Sequence, residues 1–145
     1  RALNAEAARY VLIGGFAVLL HGLVRTTKAV DLLVDSSDEN VRAVKRALGT
    51  LPDNAAAEVA DDDVRRYTVV RVADEIVVDL LGQACGIDYA AAVEAGIEHR
   101  ELMGVRIPLA TKELLVRMKD TVRESDRADV RFLNLLIEKE RRGER

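Results

Sequence analysis

One stretch of this chain, residues 10–35, constrains its fold more than any other. An apolar run from Tyr10 to Ile13 ends in Gly14 and Gly15, and an apolar segment with helical character, residues 16–21, follows at once. This order predicts a strand, a tight turn and a helix. Because glycines let a ligand approach the backbone and the first helical N–H groups lack partners, Gly14 and Gly15 are candidates for phosphate contact. A plain tight turn is the commoner reason for such a glycine pair.

A second strand follows, with a carboxylate at its centre. From residue 29 the chain alternates, so that one face of the strand carries the apolar residues at 30, 32 and 34 and the other carries Ala29, Asp31, Leu33 and Asp35. Aspartate is disfavoured in strands. Asp31 therefore requires a reason, such as a bound metal, a partner cation or a solvent-facing sheet surface.

A similar carboxylate recurs later in the chain. Residues 66–72 and 75–81 predict two antiparallel strands joined by Ala73 and Asp74. In the second of these strands Asp79 stands alone among apolar neighbours. We expect Asp79 to lie beside Asp31 on a neighbouring strand, with the two carboxylates close enough to share one ion.

The other segments predict scaffold elements. Residues 2–9 favour a helix, and residues 36–48 predict another, which Ser36 and Glu39 would open as a capping box. The remaining elements are a loop or short helix at 54–63, a short helix at 89–95, a hairpin of 98–102 with 105–109, a helix capped by Thr111 with Val122 on its buried side, and a last helix capped by Ser125 whose charged end, 138–145, is expected to fray.

Composition limits the class of protein. A length of 145 residues predicts one domain, in which residues 1–109 form a sheet-containing core and residues 110–145 form C-terminal helices. With 49% hydrophobic residues, 32% charged residues and a net charge of -3, the chain is neither disordered nor a broadly basic nucleic-acid binder. Its single cysteine, Cys85, excludes an internal disulfide and is expected to be a small buried hydrophobe. We expect a cytoplasmic protein without membrane contact, since no apolar run reaches about 18 residues.

Three stretches together resemble a known superfamily. They are Gly14-Gly15 with the run Arg25-Thr-Thr-Lys-Ala-Val-Asp-Leu-Leu-Val34, the run Val77-Val-Asp-Leu-Leu81, and the C-terminal pattern of Lys119, Arg123, Asp126 and Asp129. The pattern is similar to that of the nucleotidyltransferase (DNA polymerase beta-like) superfamily, and within it to the small bacterial group around the AbiEii-type and MenT-type toxins. The resemblance spans most of the chain.

The resemblance implies an α+β nucleotidyltransferase fold, with helices packed on a mixed β-sheet and a C-terminal helical hairpin. The implied activity is magnesium-dependent transfer of NMP from an NTP such as ATP to an acceptor, which is RNA or tRNA, a protein or a small molecule. A toxin-antitoxin role and an antitoxin protein as partner are implied as well.

The resemblance also implies residue roles. Asp31 and Asp79 would be catalytic metal ligands, and the nucleotide would contact Gly14, Gly15, Arg25, Lys28 and Lys119. For Lys119, a solvated helix position paired with a nearby acid is an equally good interpretation. Asp126 and Asp129 are assigned a structural role in the first turn of the last helix, where acids interact favourably with the helix dipole.

One position departs from the pattern. Where the superfamily places its first acid of an Asp-x-Asp pair, this chain has Ala29. Asp31 and Asp79 would then hold at most one of the two ions, which implies impaired catalysis. Ala29 is either an engineered inactivation or a mark of a naturally degenerate member, and the intact pattern around it favours the single deliberate change. The alternative function is a non-catalytic nucleotide-binding or interaction module of the same fold.

Overall fold

The computed structural model describes residues 1–143, which form an α+β fold around a mixed six-stranded sheet. The sheet contains β1 (Tyr10–Ile13), β2 (Val30–Val34), β3 (Val70–Ala73), β4 (Val77–Leu81), β7 (Ile97–Leu102) and β8 (Val105–Ala110), and a separate two-stranded hairpin contains β5 (Gln83–Ala84) and β6 (Ile87–Asp88). The order across the large sheet is β3-β4-β2-β1-β8-β7. The α+β class and the mixed sheet predicted from the sequence are confirmed.

Seven helices surround the sheet within the described residues. They are α1 (Ala2–Ala5), α2 (Gly14–Leu20), α3 (Asp38–Leu48), α4 (Asp63–Arg66), α5 (Tyr89–Ala95), α6 (Lys112–Met118) and α7 (Glu124–Arg141), with a short 3₁₀ turn at Ala55–Glu58. The last two helices pack against each other. None of the helices in residues 1–143 has the length and apolar character needed to cross a membrane.

Strand β2 runs through the middle of the core. Leu32, Leu33 and Val34 are consecutive and all buried. Because successive strand residues point to opposite faces, both faces of β2 are covered by protein. β2 pairs antiparallel with β1 and parallel with β4, so its single acid is held between two other strands.

A buried asparagine joins β1, β2 and α3. Asn40 is 2% exposed, and its side chain amide accepts from the Arg9 backbone N–H at 2.7 Å. It donates to the carbonyls of Arg9 and Asp35 at 3.0 and 2.7 Å. These backbone groups flank the two strands, and the Arg9 carbonyl also accepts from the Asp35 N–H at 3.2 Å. Asn40 therefore supplies partners to the Arg9 N–H and the Asp35 carbonyl at the point where β1 begins and β2 ends.

The structure corrects several element boundaries. Helix α3 begins at Asp38, and its N-cap is Ser37 rather than Ser36, because the Asp35 carboxylate accepts from the Ser37 N–H and extends the turn by one residue. Helix α7 begins at Glu124, which places Ser125 inside the helix. Val122 is 89% exposed because α6 ends at Met118.

Other expectations were wrong for conformational reasons. The first helix ends at Ala5, since Ala7 takes a positive φ of 53°. Cys85 is exposed rather than buried, because with Gly86 it forms the turn between β5 and β6. The strand expected from residue 66 begins at Val70, since α4 occupies the chain up to Arg66. The predicted fraying end of the last helix lies partly outside the described residues.

Removing the Asn40 amide should destabilise the fold. Asn40→Ala leaves the part-buried Arg9 N–H and the Asp35 carbonyl without their side-chain partner, which should lower the free energy of unfolding by about 2–4 kcal/mol. Urea denaturation measures this change. Glu39→Gln, at the exposed neighbouring position, is the control and should change the free energy by less than about 0.5 kcal/mol. An Asn40→Ala variant as stable as Glu39→Gln would contradict this role.

Candidate active site

Two carboxylates lie side by side on the central strands. β2 and β4 are parallel, and their register places Asp31 directly opposite Asp79. Neighbouring strands are about 4.8 Å apart and paired residues point to the same face. The sequence-based expectation that these two acids lie on adjacent strands and share a face is met.

Asp31 is the less compensated of the two acids. Its carboxylate makes no ion pair or side-chain hydrogen bond with any residue in 1–143. Burial first, and then the Asp79 carboxylate, raise the pKa of Asp31 to about 6, while Lys119 and Arg71 act in the opposite direction. Asp31 is therefore a partly buried anion at neutral pH, next to a second anion, and a cation bound there would relieve both costs.

Asp79 already has a cation. Arg71 lies opposite Asp79 in the antiparallel β3–β4 pair, and its guanidinium donates to both carboxylate oxygens at 2.9 and 3.0 Å. Bidentate pairing of this kind is among the stronger interactions of arginine. The Arg71 side chain is 63% exposed, whereas that of Asp79 is only 11% exposed. Arg71 thus covers the acid from the solvent side.

The Asp31 carboxylate requires a glycine at position 14. Gly14 has a φ of +72°, and a Cβ on it would stand 2.1 Å from Oδ2 of Asp31. Any side chain here would meet both a backbone penalty and a direct clash. Ile13 pairs with Asp31 across β1 and β2, so the end of β1 brings the glycine and the acid together.

A buried charge network holds Lys119 near this pair. Lys119 is 8% exposed, and its Nζ contacts Asp129 at 2.9 Å and Asp126 at 3.3 Å. Asp129 also pairs with the guanidinium of Arg25, and Asp126 accepts from the Thr121 hydroxyl at 2.6 Å. In the less exposed part of the network two cations, Lys119 and Arg25, balance the two anions, as a buried ionic cluster requires. The exposed Arg123 lies 3.9 Å from Asp126 at its edge.

The network settles two interpretations made from the sequence. Lys119 is paired with acids, but it is buried rather than on a solvated helix face. Asp126 and Asp129 act through ion pairs to Lys119 in addition to any effect at the helix N-terminus. Burial alone would raise the pKa of Asp126, yet the Thr121 hydroxyl and the Lys119 charge hold it below its ordinary value.

A cavity of about 280 Å³ opens beside the carboxylates. Its lining includes Gly14, Asp31, Lys119, Thr121 and Arg123. Four loops and helix ends meet here: the β1–α2 corner, the β5–β6 turn, the C-terminal end of α6 and the start of α7. The cavity therefore presents one weakly compensated carboxylate, glycine backbone and two cationic side chains to a ligand.

The other predicted contact residues, Gly15, Arg25 and Lys28, do not line this cavity. Gly15 is buried, and a Cβ on it would stand 2.9 Å from Oγ1 of Thr27. Arg25 is committed to Asp129. Lys28 is exposed, and Ala29 lies one residue before β2, with its carbonyl accepting from the Thr27 hydroxyl.

The acids fit one divalent ion better than two. Magnesium is held by oxygen ligands, often one or two carboxylates with the remaining positions filled by water and substrate phosphate. Asp31 with Asp79 supplies that number, provided that Arg71 gives up at least one oxygen of Asp79. No group of three or more His, Cys, Asp or Glu side chains in residues 1–143 is arranged to hold a metal.

No functional role was predicted from the sequence for Arg71, Thr121 or Arg123. Arg71 follows from the register of the β3–β4 hairpin, in which a loop of Asp74, Glu75 and Ile76 replaces the two-residue turn expected at 73–74. The Asp74 carboxylate accepts from the N–H groups of Asp53 and Ala55, which fixes this longer loop. Arg71 is visible in the sequence as a charged residue, but its pairing with Asp79 depends on that strand register.

Comparison with known proteins does not assign this chain to a family. No protein-family model matches the chain, and no curated protein matches its sequence.

The raised pKa of Asp31 predicts a pH-dependent stability effect. A carboxyl that ionises at about pH 6 when folded and at about pH 3.9 when unfolded costs stability above pH 6, and the cost disappears as the pH falls toward 4. Asp31→Asn should raise the Tm by a few degrees at pH 7.5 and by little at pH 4.5, as measured by calorimetry.

Asp35→Asn is the matched control. The Ser37 N–H, followed by Arg9, holds the pKa of Asp35 below its ordinary value, although burial opposes them. Its ionised form therefore stabilises the fold, and Asp35→Asn should lower the Tm at pH 7.5. An Asp31→Asn variant with a lower Tm at pH 7.5 would mean that the Asp31 carboxylate is compensated.

Proposed function

We propose that this chain has a nucleotidyltransferase fold and a nucleotidyltransferase site, in which Asp31 and Asp79 face the α-phosphate of a bound NTP. The observation that carries the proposal is the register of β2 and β4, which pairs Asp79 with Asp31, the acid that lies next to Gly14 and lines one cavity with Lys119. Acids from neighbouring strands beside a glycine corner and a buried lysine suit a negatively charged substrate that arrives with a divalent cation.

The proposed reaction is transfer of NMP to an acceptor hydroxyl. The acceptor oxygen forms a bond to the α-phosphorus, the bond from that phosphorus to the bridging oxygen breaks, pyrophosphate leaves with the bonding electrons, and the hydroxyl proton is released to solvent. Negative charge grows on the attacking and departing oxygens, so preorganised positive charge lowers the barrier. Lys119 and Arg123 line the cavity, and they would supply positive charge to the phosphates.

Magnesium, when bound, supplies charge neutralisation of the phosphates and orients the reacting groups. Asp31 is the side chain best placed to hold it, because its carboxylate has no competing partner in the described residues. Asp79 would be a second ligand if Arg71 released one of its oxygens. Arg71 is sufficiently exposed to move into solvent without disturbing the core.

A non-catalytic nucleotide-binding module is the second candidate. Two features favour it: position 29 is alanine, and Arg71 already supplies a cation to Asp79. A site whose second acid carries its own guanidinium can bind nucleotide and one metal ion without stabilising both reacting oxygens. The two candidates share a binding step and differ in turnover, so a single substitution separates them.

Restoring an acid at position 29 should switch on transfer. Ala29→Asp adds a carboxylate two residues from Asp31, where the superfamily pattern has its first metal ligand. A ligand acting at the transition state is worth several kcal/mol, so the rate should rise roughly a thousandfold or more. The measurement is the magnesium-dependent transfer of label from α-phosphate-labelled NTP to RNA, protein or small acceptors.

Two control variants isolate the carboxylate. In Ala29→Asn the new side chain has nearly the shape of aspartate but no charge, so the transfer rate should stay at the background rate of the original chain. Ala29→Asp combined with Asp79→Asn should also lack transfer. If folded Ala29→Asp transfers no label with any of the four NTPs, but still shows a magnesium-dependent thermal shift with NTP, the non-catalytic module is the correct function. Absence of both signals would discard the nucleotide site.

A further inference from the structure

A second cavity, of about 650 Å³, adjoins the one that contains Asp31. It lies between α6, α7 and the β5–β6 turn, and it shares Cys85, Lys119 and Thr121 with the smaller cavity. An extended ligand that occupies the larger cavity would therefore pass Lys119 and reach the proposed site of transfer. We call the larger cavity the basic groove, for the side chains described next.

Arginines from two helices line the basic groove. Arg127 and Arg131 come from α7 and Arg117 from the last turn of α6, and all three are exposed. The only acid in the lining is Asp120. None of these three arginines forms an ion pair with another residue in 1–143. Most other arginines of the described chain have a carboxylate partner, as Arg42, Arg46 and Arg100 do.

The arginines of α7 form a stripe that begins at the proposed site. Arg123, Arg127 and Arg131 follow each other at intervals of four residues, so they lie on one face of the helix, about 6 Å apart along its axis. Arg123 lines the smaller cavity, and Arg127 and Arg131 line the groove. The stripe spans about 12 Å, longer than one triphosphate can bridge but suited to successive phosphates of a nucleic-acid strand.

This stripe has a cost in the absence of a ligand. Like charges at positions i and i+4 destabilise a helix, and Arg127 with Arg131 form such a pair. Asp129, which lies between them in the sequence, is buried and pairs with Lys119 and Arg25 instead. The net charge of the chain is -3, so the local excess of positive charge is a property of this groove and not of the composition. Polyanionic ligands bind such stripes through release of counterions.

We propose that the basic groove binds the sugar–phosphate backbone of a single-stranded nucleic acid and directs its end toward Asp31 and Asp79. The inference rests on the proposed nucleotidyl transfer and narrows its acceptor from RNA, protein or small molecule to a nucleic-acid strand. The arginines contact phosphates, and such contacts position a strand without reading its sequence. Binding is therefore weakly dependent on base sequence and strongly dependent on salt.

Fluorescence anisotropy with a 12-nucleotide single-stranded RNA labelled at its 5′ end tests this inference, without magnesium or NTP. The original chain should bind, and Arg127→Gln combined with Arg131→Gln should weaken binding tenfold or more at low salt. The slope of log affinity against log salt should fall by about 1.4, since each lost phosphate contact on a single strand contributes about 0.7. Arg106→Gln, an exposed arginine on β8, is the control and should bind as the original chain does.

A second measurement uses the single cysteine as a reporter. Cys85 is exposed and lines both cavities, so a bound strand should slow its alkylation by iodoacetamide at least fivefold. ATP at saturating concentration is run in parallel. Protection by RNA that the double variant loses supports the proposal, whether or not ATP also protects.

Three results would overturn the proposal. They are no binding of RNA by the folded original chain, a double variant with unchanged affinity and salt slope, and protection of Cys85 by ATP but not by RNA, which would assign the groove to the triphosphate. The proposed transfer activity fails separately, since it depends on the NTP-dependent thermal shift and on Ala29→Asp. RNA binding without an NTP response would support the basic groove as a nucleic-acid site and contradict the proposed transferase activity.

Discussion

The parallel pairing of β2 with β4 is the constraint on which the site depends. It sets Asp31 against Asp79 in a sheet whose central strand is covered on both faces. Two carboxylates so placed repel each other and lose hydration, and the fold answers this cost unequally. Asp79 receives Arg71, whereas Asp31 receives only the more distant influence of Lys119, Arg71 and Arg123. The unequal compensation is what makes Asp31 the natural point for a bound cation.

The C-terminal helices are tied to the same place by charge. Lys119 and Arg25 enclose Asp129, and Lys119 also holds Asp126. These contacts connect the end of α6 to the start of α7, and the Arg25–Asp129 pair, 104 residues apart in sequence, adds the segment before β2. Such buried pairs contribute little net stability, because desolvation offsets the attraction. Their effect is to fix the position of Lys119, and with it the boundary between the carboxylate cavity and the basic groove.

The sequence predicted those site residues whose position follows from the local pattern of a strand or turn, and it missed those whose position depends on the pairing of distant strands. Alternation on β2 and β4 fixed the face of Asp31 and Asp79, and the glycine pair marked the corner beside them. Gly14 was identified for its backbone, yet its closest neighbour is the Asp31 carboxylate, which only the sheet register reveals. Arg71 was missed because one additional loop residue in the β3–β4 hairpin changes every cross-strand partner.

In the helices, too, a local pattern was predicted correctly and a feature set by tertiary contacts was not. Thr111 was correctly predicted as an N-cap, since its hydroxyl accepts from the Leu114 N–H as the local pattern requires. Ser125 was not a cap, because α7 starts early enough to bring Asp126 to Lys119. Local capping preference is worth about 1 kcal/mol, and a buried ion pair left incomplete costs more than that. Tertiary charge pairing therefore set the helix start.

The central claim is that Asp31 and Asp79 hold a nucleotide-associated divalent ion, and the anomalous scattering of Mn²⁺ in crystals with a non-hydrolysable NTP tests it most directly. Manganese shares the oxygen-ligand preference of magnesium and is visible at its absorption edge. We expect one peak in contact with Asp31 and with phosphate oxygens of the nucleotide, and Arg71 turned away from at least one oxygen of Asp79. An ordered nucleotide whose ion contacts neither acid, with Arg71 still bidentate on Asp79, would contradict the claim.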